Sequence, residues 1–179
     1  MFARRVNAGL LFALMLWSLP GHAGDTPVAL DLHYLAPLSK GSGVDSGAGV
    51  AVRIGQRFRP APWVVTPELA LAYDSFGGLA EARAYRGLAG LRLGYDFPAL
   101  RPGLFAHGGV ARVTYSPLLS PGADHTSFTY DLGAFLDVTL LPLVNVGAHL
   151  GYNQALKKGS NSGTGLKWLA LGLHAEIVF

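Results

Sequence analysis

The chain has 179 residues, 24 of them glycine and none cysteine; half are hydrophobic, and the formal charge is +3. Without a thiol it is neither a disulfide scaffold nor a cysteine-anchored lipoprotein. Its length allows one ordinary domain, and its few basic residues form no run interleaved with aromatics, which argues against a nucleic-acid partner.

Residues 1–23, "MFARRVNAGLLFALMLWSLPGHA", have the three parts of a cleaved signal peptide. Arg4 and Arg5 supply the positive start, Ala8 to Leu19 the apolar core, and Gly21-His22-Ala23 the small-x-small site. That core is too short for a bilayer span, which needs about 20 apolar residues. Losing Arg4 and Arg5 takes the formal charge from +3 to +1, so the remaining domain, 24–179, is nearly neutral. It also contains no apolar run fit for a membrane helix, because "FLDVTLLPLVNVGAHLGY" is broken by Asp137, Pro142 and Asn145. A closed β-barrel remains as the way for a hydrophobic exported chain to pair all its backbone groups in lipid.

Alternation of period two then runs the length of the chain. "PVALDLHYL" sets Val28, Leu30, Leu32 and Tyr34 against Ala29, Asp31 and His33. "GAGVAVRIGQRF" sets Val50, Val52, Ile54 and Phe58 against Ala51, Arg53 and Arg57. "WVVTPELALAYD" turns Leu69, Leu71 and Tyr73 one way and Glu68, Ala70, Ala72 and Asp74 the other. In "YRGLAGLRLGYDF", Leu91, Leu93, Tyr95 and Phe97 oppose Gly90, Arg92, Gly94 and Asp96. The fifth stretch, "GLFAHGGVARVTY", is mixed: placing Phe105, Ala111, Val113 and Tyr115 outward turns Arg112 inward and leaves His107 outside. "SFTYDLGAFLDVTL" puts Phe128, Tyr130, Leu132 and Leu136 against Asp131, Phe135 and Asp137. "LVNVGAHLGYNQ" sets Val146, Ala148, Leu150 and Tyr152 against Asn145, His149 and Asn153. "KWLALGLHAEIVF" closes the chain with Leu171, Leu173, Ala175, Ile177 and Phe179 against Gly172, His174 and Glu176.

Eight strands is an even number, as single-chain bacterial barrels use. The connections "RFRPAPW", "DFPALRPG" and "TLLPLVN" are short and proline-marked. "SKGSGVDSG", "DSFGGLAEARA", "SPLLSPGADHTS" and "NQALKKGSNSGTGLK" are longer and mostly polar or glycine-rich, as extracellular loops are. Tyr34, Tyr73, Tyr115, Phe128, Tyr130 and Tyr152 fall toward the long loops, and Phe58, Trp63, Tyr95, Phe97, Phe105 and Phe179 toward the short turns, giving two aromatic girdles. A soluble sandwich would have turns of similar length at both ends. The expected fold is an all-β, eight-stranded, antiparallel up-and-down transmembrane barrel with both ends in the periplasm.

This pattern resembles the small outer-membrane barrels of the OmpA/OmpX type over the whole of 24–179. The resemblance implies an outer-membrane location, lipid and lipopolysaccharide as surroundings, and periplasmic chaperones and the barrel assembly machinery as partners. Leu171, Leu173, Ile177 and the terminal Phe179 resemble the assembly signal by which that machinery recognises its clients. It further implies a non-enzymatic anchor whose loops meet the outside, although the loops carry no motif that identifies a ligand. Lys157 and Lys158 are candidates for lipopolysaccharide phosphates.

The inward face collects Asp31, Glu68, Asp74, Asp96, Asp131, Asp137 and Glu176 with Arg53, Arg57, Arg92, Arg112, His33, His149 and His174. Eight strands leave an interior just wide enough for side chains, so these charges are expected to pair. Arg53, Glu68, Arg92, Asp131, His174 and Glu176 are the expected ionic filling; a narrow solute channel is the reading they oppose. Two enzyme families share this architecture. The lipid A palmitoyltransferases place a His, an Asp and a Ser near the outer rim, and His33, Asp74 and Ser75 are similarly ordered here, although the charged lumen and the absence of a leading amphipathic helix depart from that family. The lipid A deacylases use His-x-Ser on one strand and Glu on the next. "HTS", 125–127, matches the spacing, but parity turns it inward and the seventh strand has no carboxylate. His33, His107, His125, His149 and His174 show no clustered ligand spacing, so neither metal nor cofactor is expected.

Overall fold

The computed structural model describes residues 25–38, 43–79, 81–115, 125–156 and 165–179. The expected signal segment, Lys157, Lys158 and parts of the long loops lie outside the described residues. Every element among the described residues is a strand: β1 Pro27–Pro37, β2 Gly47–Gly55, β3 Trp63–Phe76, β4 Ala82–Tyr95, β5 Leu100–Tyr115, β6 His125–Leu141, β7 Val144–Ala155 and β8 Leu166–Val178. Each pairs antiparallel with its chain neighbours. The last pairs with the first, from Pro27 opposite Val178 to Pro37 opposite Trp168, and closes the barrel. Closure leaves no open edge, so the backbone is satisfied without water.

The alternation has a physical consequence. Leu71 is 73% exposed and Leu173 69%, whereas Arg53, Glu68 and Arg92 are buried. Leucines or valines are exposed on every strand. At about 1.5–3 kcal/mol for each large apolar side chain left in water, such a surface would cost tens of kcal/mol. That exceeds the roughly 5–15 kcal/mol by which a domain is stable. The outer surface is therefore built for lipid, and the barrel spans a membrane.

At the short-turn end, Trp63, Tyr95 and Phe97 pack edge-on or tilted, with centroids 5.3 and 4.8 Å apart. At the other end Tyr73 meets Tyr85 at 5.0 Å and Tyr130 meets Tyr152 at 6.3 Å. Both chain ends of the barrel lie on the short-turn side, where Thr26 and Phe179 exchange backbone hydrogen bonds of 2.9 and 3.1 Å.

Three expectations need correction. First, β5 has the opposite face inward: His107, Ala111 and Val113 are buried, while Leu104, Val110 and Arg112 are exposed. His107 and Arg112 have opposite parity, so one of them had to face outward. An arginine near a strand end can carry its charge to the polar headgroup level, whereas a mid-strand histidine in lipid has no partner. The same inversion takes Phe105 and Tyr115 out of the girdles: Phe105 stacks on His107 at 5.4 Å, and Tyr115 packs against the buried apolar cluster. Second, "DSFGGLAEARA" is mostly strand, since β3 runs to Phe76 and β4 starts at Ala82.

Third, the lumen is not charged throughout. Toward the loops it is plugged by an apolar cluster that includes Leu35, Phe76, Ala82, Val113, Leu166 and Trp168. Phe76 and Trp168 meet edge-on at 5.5 Å, and the Arg86 guanidinium lies 5.2 Å from the Trp168 ring. This plug explains the long strands, because continued pairing past the membrane gives those side chains a wall to pack against.

Candidate functional site: the filled lumen

Below the plug the interior is ionic. Six buried carboxylates (Asp31, Glu68, Asp74, Asp131, Asp137 and Glu176) face five buried guanidiniums (Arg53, Arg57, Arg86, Arg92 and Arg101). Arg53 on β2 grips both oxygens of Asp31 on β1, at 2.8 and 3.1 Å, and donates from its other arm to Glu68 on β3 at 3.0 Å. The planar fork of arginine suits this bridging. Glu68 continues to His107 at 2.6 Å, and His107 to Asp131 at 2.6 Å. A carboxylate oxygen accepts only, so His107 donates from both ring nitrogens and acts as a sixth cation.

Arg86 joins the upper part of this chain. It pairs with Asp74 at 2.7 Å and Asp131 at 3.6 Å, and donates to the Asn153 side chain at 2.8 Å. Lower down, Asp137 collects Arg92 at 3.3 Å, His174 at 2.8 Å and Arg101 at 3.9 Å. Arg92 also lies over the Phe135 ring at 3.8 Å. Arg57 pairs with Glu176, which accepts a further hydrogen bond from Asn145 at 2.8 Å.

The expected residues are thus all in the lumen, but only Arg53 and Glu68 touch directly. Asp131 reaches Glu68 through His107; Arg92 and His174 meet at Asp137; Glu176 belongs to Arg57. Arg86, Arg101 and His107 were missed. Extending the inward parity of β4 by a few residues would have found Arg86. Asp96 lies at the mouth and is exposed, where it meets Arg101 at 3.3 Å.

His33 and Asp74, which the palmitoyltransferase alternative would place together at the rim, lie side by side: Nε2 is 2.7 Å from Oδ1, both buried. Gly49 makes this possible, since a Cβ there would fall 2.2 Å from the His33 ring and 2.4 Å from Asp74. Ser75 is one residue on from Asp74 and therefore on the other face of β3. Among the described residues no nucleophile stands beside the pair in the palmitoyltransferase arrangement. Ser127 of the "HTS" stretch is buried inside the barrel. The lumen cavity bordered by His33, Arg53, His107 and His149 measures about 50 Å³, room for a water or two but not an acyl chain.

No protein-family model and no curated protein sequence matches this chain. Its structure is similar to solved ones. Neisserial surface protein A superimposes with a TM-score of 0.61 at 19% identity, over 89% of this chain and all of that one. Ail, the attachment invasion locus protein of Yersinia pestis, gives 0.61 at 14%, over 87% and 99%. The outer membrane enzyme PagL gives 0.54 at 13%, over 84% and 98%. The chain has the fold of the small eight-stranded barrels of bacterial outer membranes. With the lipid-facing band this defines a membrane-spanning barrel whose short turns and barrel ends lie on one side and whose longer loops lie on the other.

Proposed function

We propose that this barrel is a non-enzymatic outer-membrane anchor that holds its loops at the cell surface. The observation that carries the reading is the filled interior: an apolar plug above, linked groups of ion pairs below, and among them a cavity of about 50 Å³. A solute path would need a continuous line of wet polar groups, and the plug interrupts it. An acyltransferase would need an open apolar pocket beside its nucleophile, and among the described residues the His33–Asp74 pair has neither. Outward-facing Arg83, Arg112 and Lys167 near the loop-side rim support lipopolysaccharide as a surface partner, because headgroup phosphates match such cations. Two of the structurally similar proteins are a surface protein and an attachment protein by name, which agrees with this role.

The test is a pair of measurements on the full chain. Reconstituted in planar bilayers it shows no steady conductance steps, and lipid A from membranes that contain it keeps its acyl pattern by mass spectrometry. A stable conductance would replace the filled scaffold with a channel. A change in acyl chains that disappears in His33→Ala would make it an enzyme.

A further inference from the structure

We propose that Asp31, His149 and His174 together hold a divalent transition-metal ion of the zinc type inside the barrel. Closure of the barrel creates the site. Asp31 on β1 stands directly opposite His174 on β8, and His149 on β7 lies opposite Gly172, two residues from His174. A ligand atom from each of the three lies within 4.8 Å of the other two. Gly172 makes the approach possible, because a Cβ there would fall 2.5 Å from the His149 ring.

The distances are wrong for hydrogen bonds and near those of a coordination shell. Asp31 Oδ1 lies 3.7 Å from His149 Nδ1 and 3.9 Å from His174 Nδ1, beyond hydrogen-bond reach. Ligands about 2.0–2.2 Å from a tetrahedral zinc stand roughly 3.4 Å apart; Asp31 is a few tenths of an ångström beyond that from each histidine, and the two histidines start within 4.8 Å of each other. His174 points to a ligand most directly. Its side chain is fully buried, its Nε2 is held by Asp137 at 2.8 Å, and its Nδ1, aimed at Asp31, has no hydrogen-bond partner. When Nε2–H donates to the carboxylate, Nδ1 presents a lone pair. A carboxylate fixing the far nitrogen of a ligating histidine is how metal sites orient their imidazoles.

Two imidazoles and one carboxylate suit zinc or its neighbours, not magnesium or calcium, which prefer oxygen. Arg53 occupies one lone pair of Asp31 Oδ1, at 3.1 Å, and leaves another for the metal. Its own charge is met by Glu68. Asp31 and His149 border the lumen cavity, which has room for a water as fourth ligand.

The test uses the full barrel refolded in detergent with and without zinc sulfate, dialysed, and assayed for bound metal. Zinc is expected at one ion per chain in the wild type, absent from Asp31→Asn and His149→Gln, and retained by His125→Gln. Asp137→Asn is expected to bind about 10–100-fold more weakly. Folding of each variant is checked by its band shift on boiling. Should the variants not fold, cobalt added to the wild type gives the visible bands of a tetrahedral site. Equal zinc in wild type and both ligand variants, or a folded wild type that takes up neither zinc nor tetrahedral cobalt, overturns the proposal.

Discussion

Arg53 holds two carboxylates at once, so its loss leaves Asp31 without its bidentate partner and Glu68 with His107 alone, both buried. Breaking one partner of a buried ion pair costs about 3–5 kcal/mol, because the charge left behind has no solvent. Arg53→Met is expected to lose that much in urea titrations of the refolded barrel in lipid vesicles. A loss below about 1 kcal/mol would mean that water reaches Asp31 and Glu68. His107 is the second pivot, since it donates to Glu68 and Asp131. His107→Leu removes two hydrogen bonds to charged groups and is expected to cost about 2–4 kcal/mol.

At the scale of the strand, the face of β5 is a sharp test. Arg112→Leu is expected to shift the same unfolding curve by less than about 1 kcal/mol, because Arg112 faces outward near the rim. If Arg112→Leu were the costly change and His107→Leu the mild one, the inverted face would be wrong. The closing strand carries two further expectations. Leu173 faces lipid, 69% exposed, and an arginine there costs roughly 2–4 kcal/mol if it lies at the bilayer midplane. Phe179 is 76% exposed at the end of β8, outside the packed interior. Removing it is expected to impair assembly into cellular membranes more than refolding in detergent. Equal losses in both assays would remove the assembly-signal role.

For the whole molecule, closure is the property to measure. A barrel with every strand paired runs differently on a gel before and after boiling, so outer-membrane extracts are expected to show a band that shifts with heat. A protein found in the soluble periplasm with no shift would contradict the lipid-facing exterior. Plug and network together set the expected resistance to unfolding: the plug excludes water from above, and that exclusion strengthens each ion pair beneath it.

The sequence by itself determined the architecture, the strand count, the closing strand and, on seven of the eight strands, which face meets lipid. The physical reason is that side chains in strands alternate with period two, and lipid tolerates only closed backbone pairing. Tertiary structure decided the rest. Parity alone cannot choose a face for β5, where histidine and arginine conflict, and that choice was settled by Asp131, directly opposite His107 on β6, and Glu68, two strands away on β3. Nor does spacing along the chain show that positions 31, 149 and 174 converge, because their meeting depends on β8 returning to β1 and on the stagger that closure imposes. The apolar plug escaped for a different reason: Phe76 and Trp168 share the inward parity of Asp74 and His174, but they lie at strand ends, and only the closed barrel brings them together over the lumen.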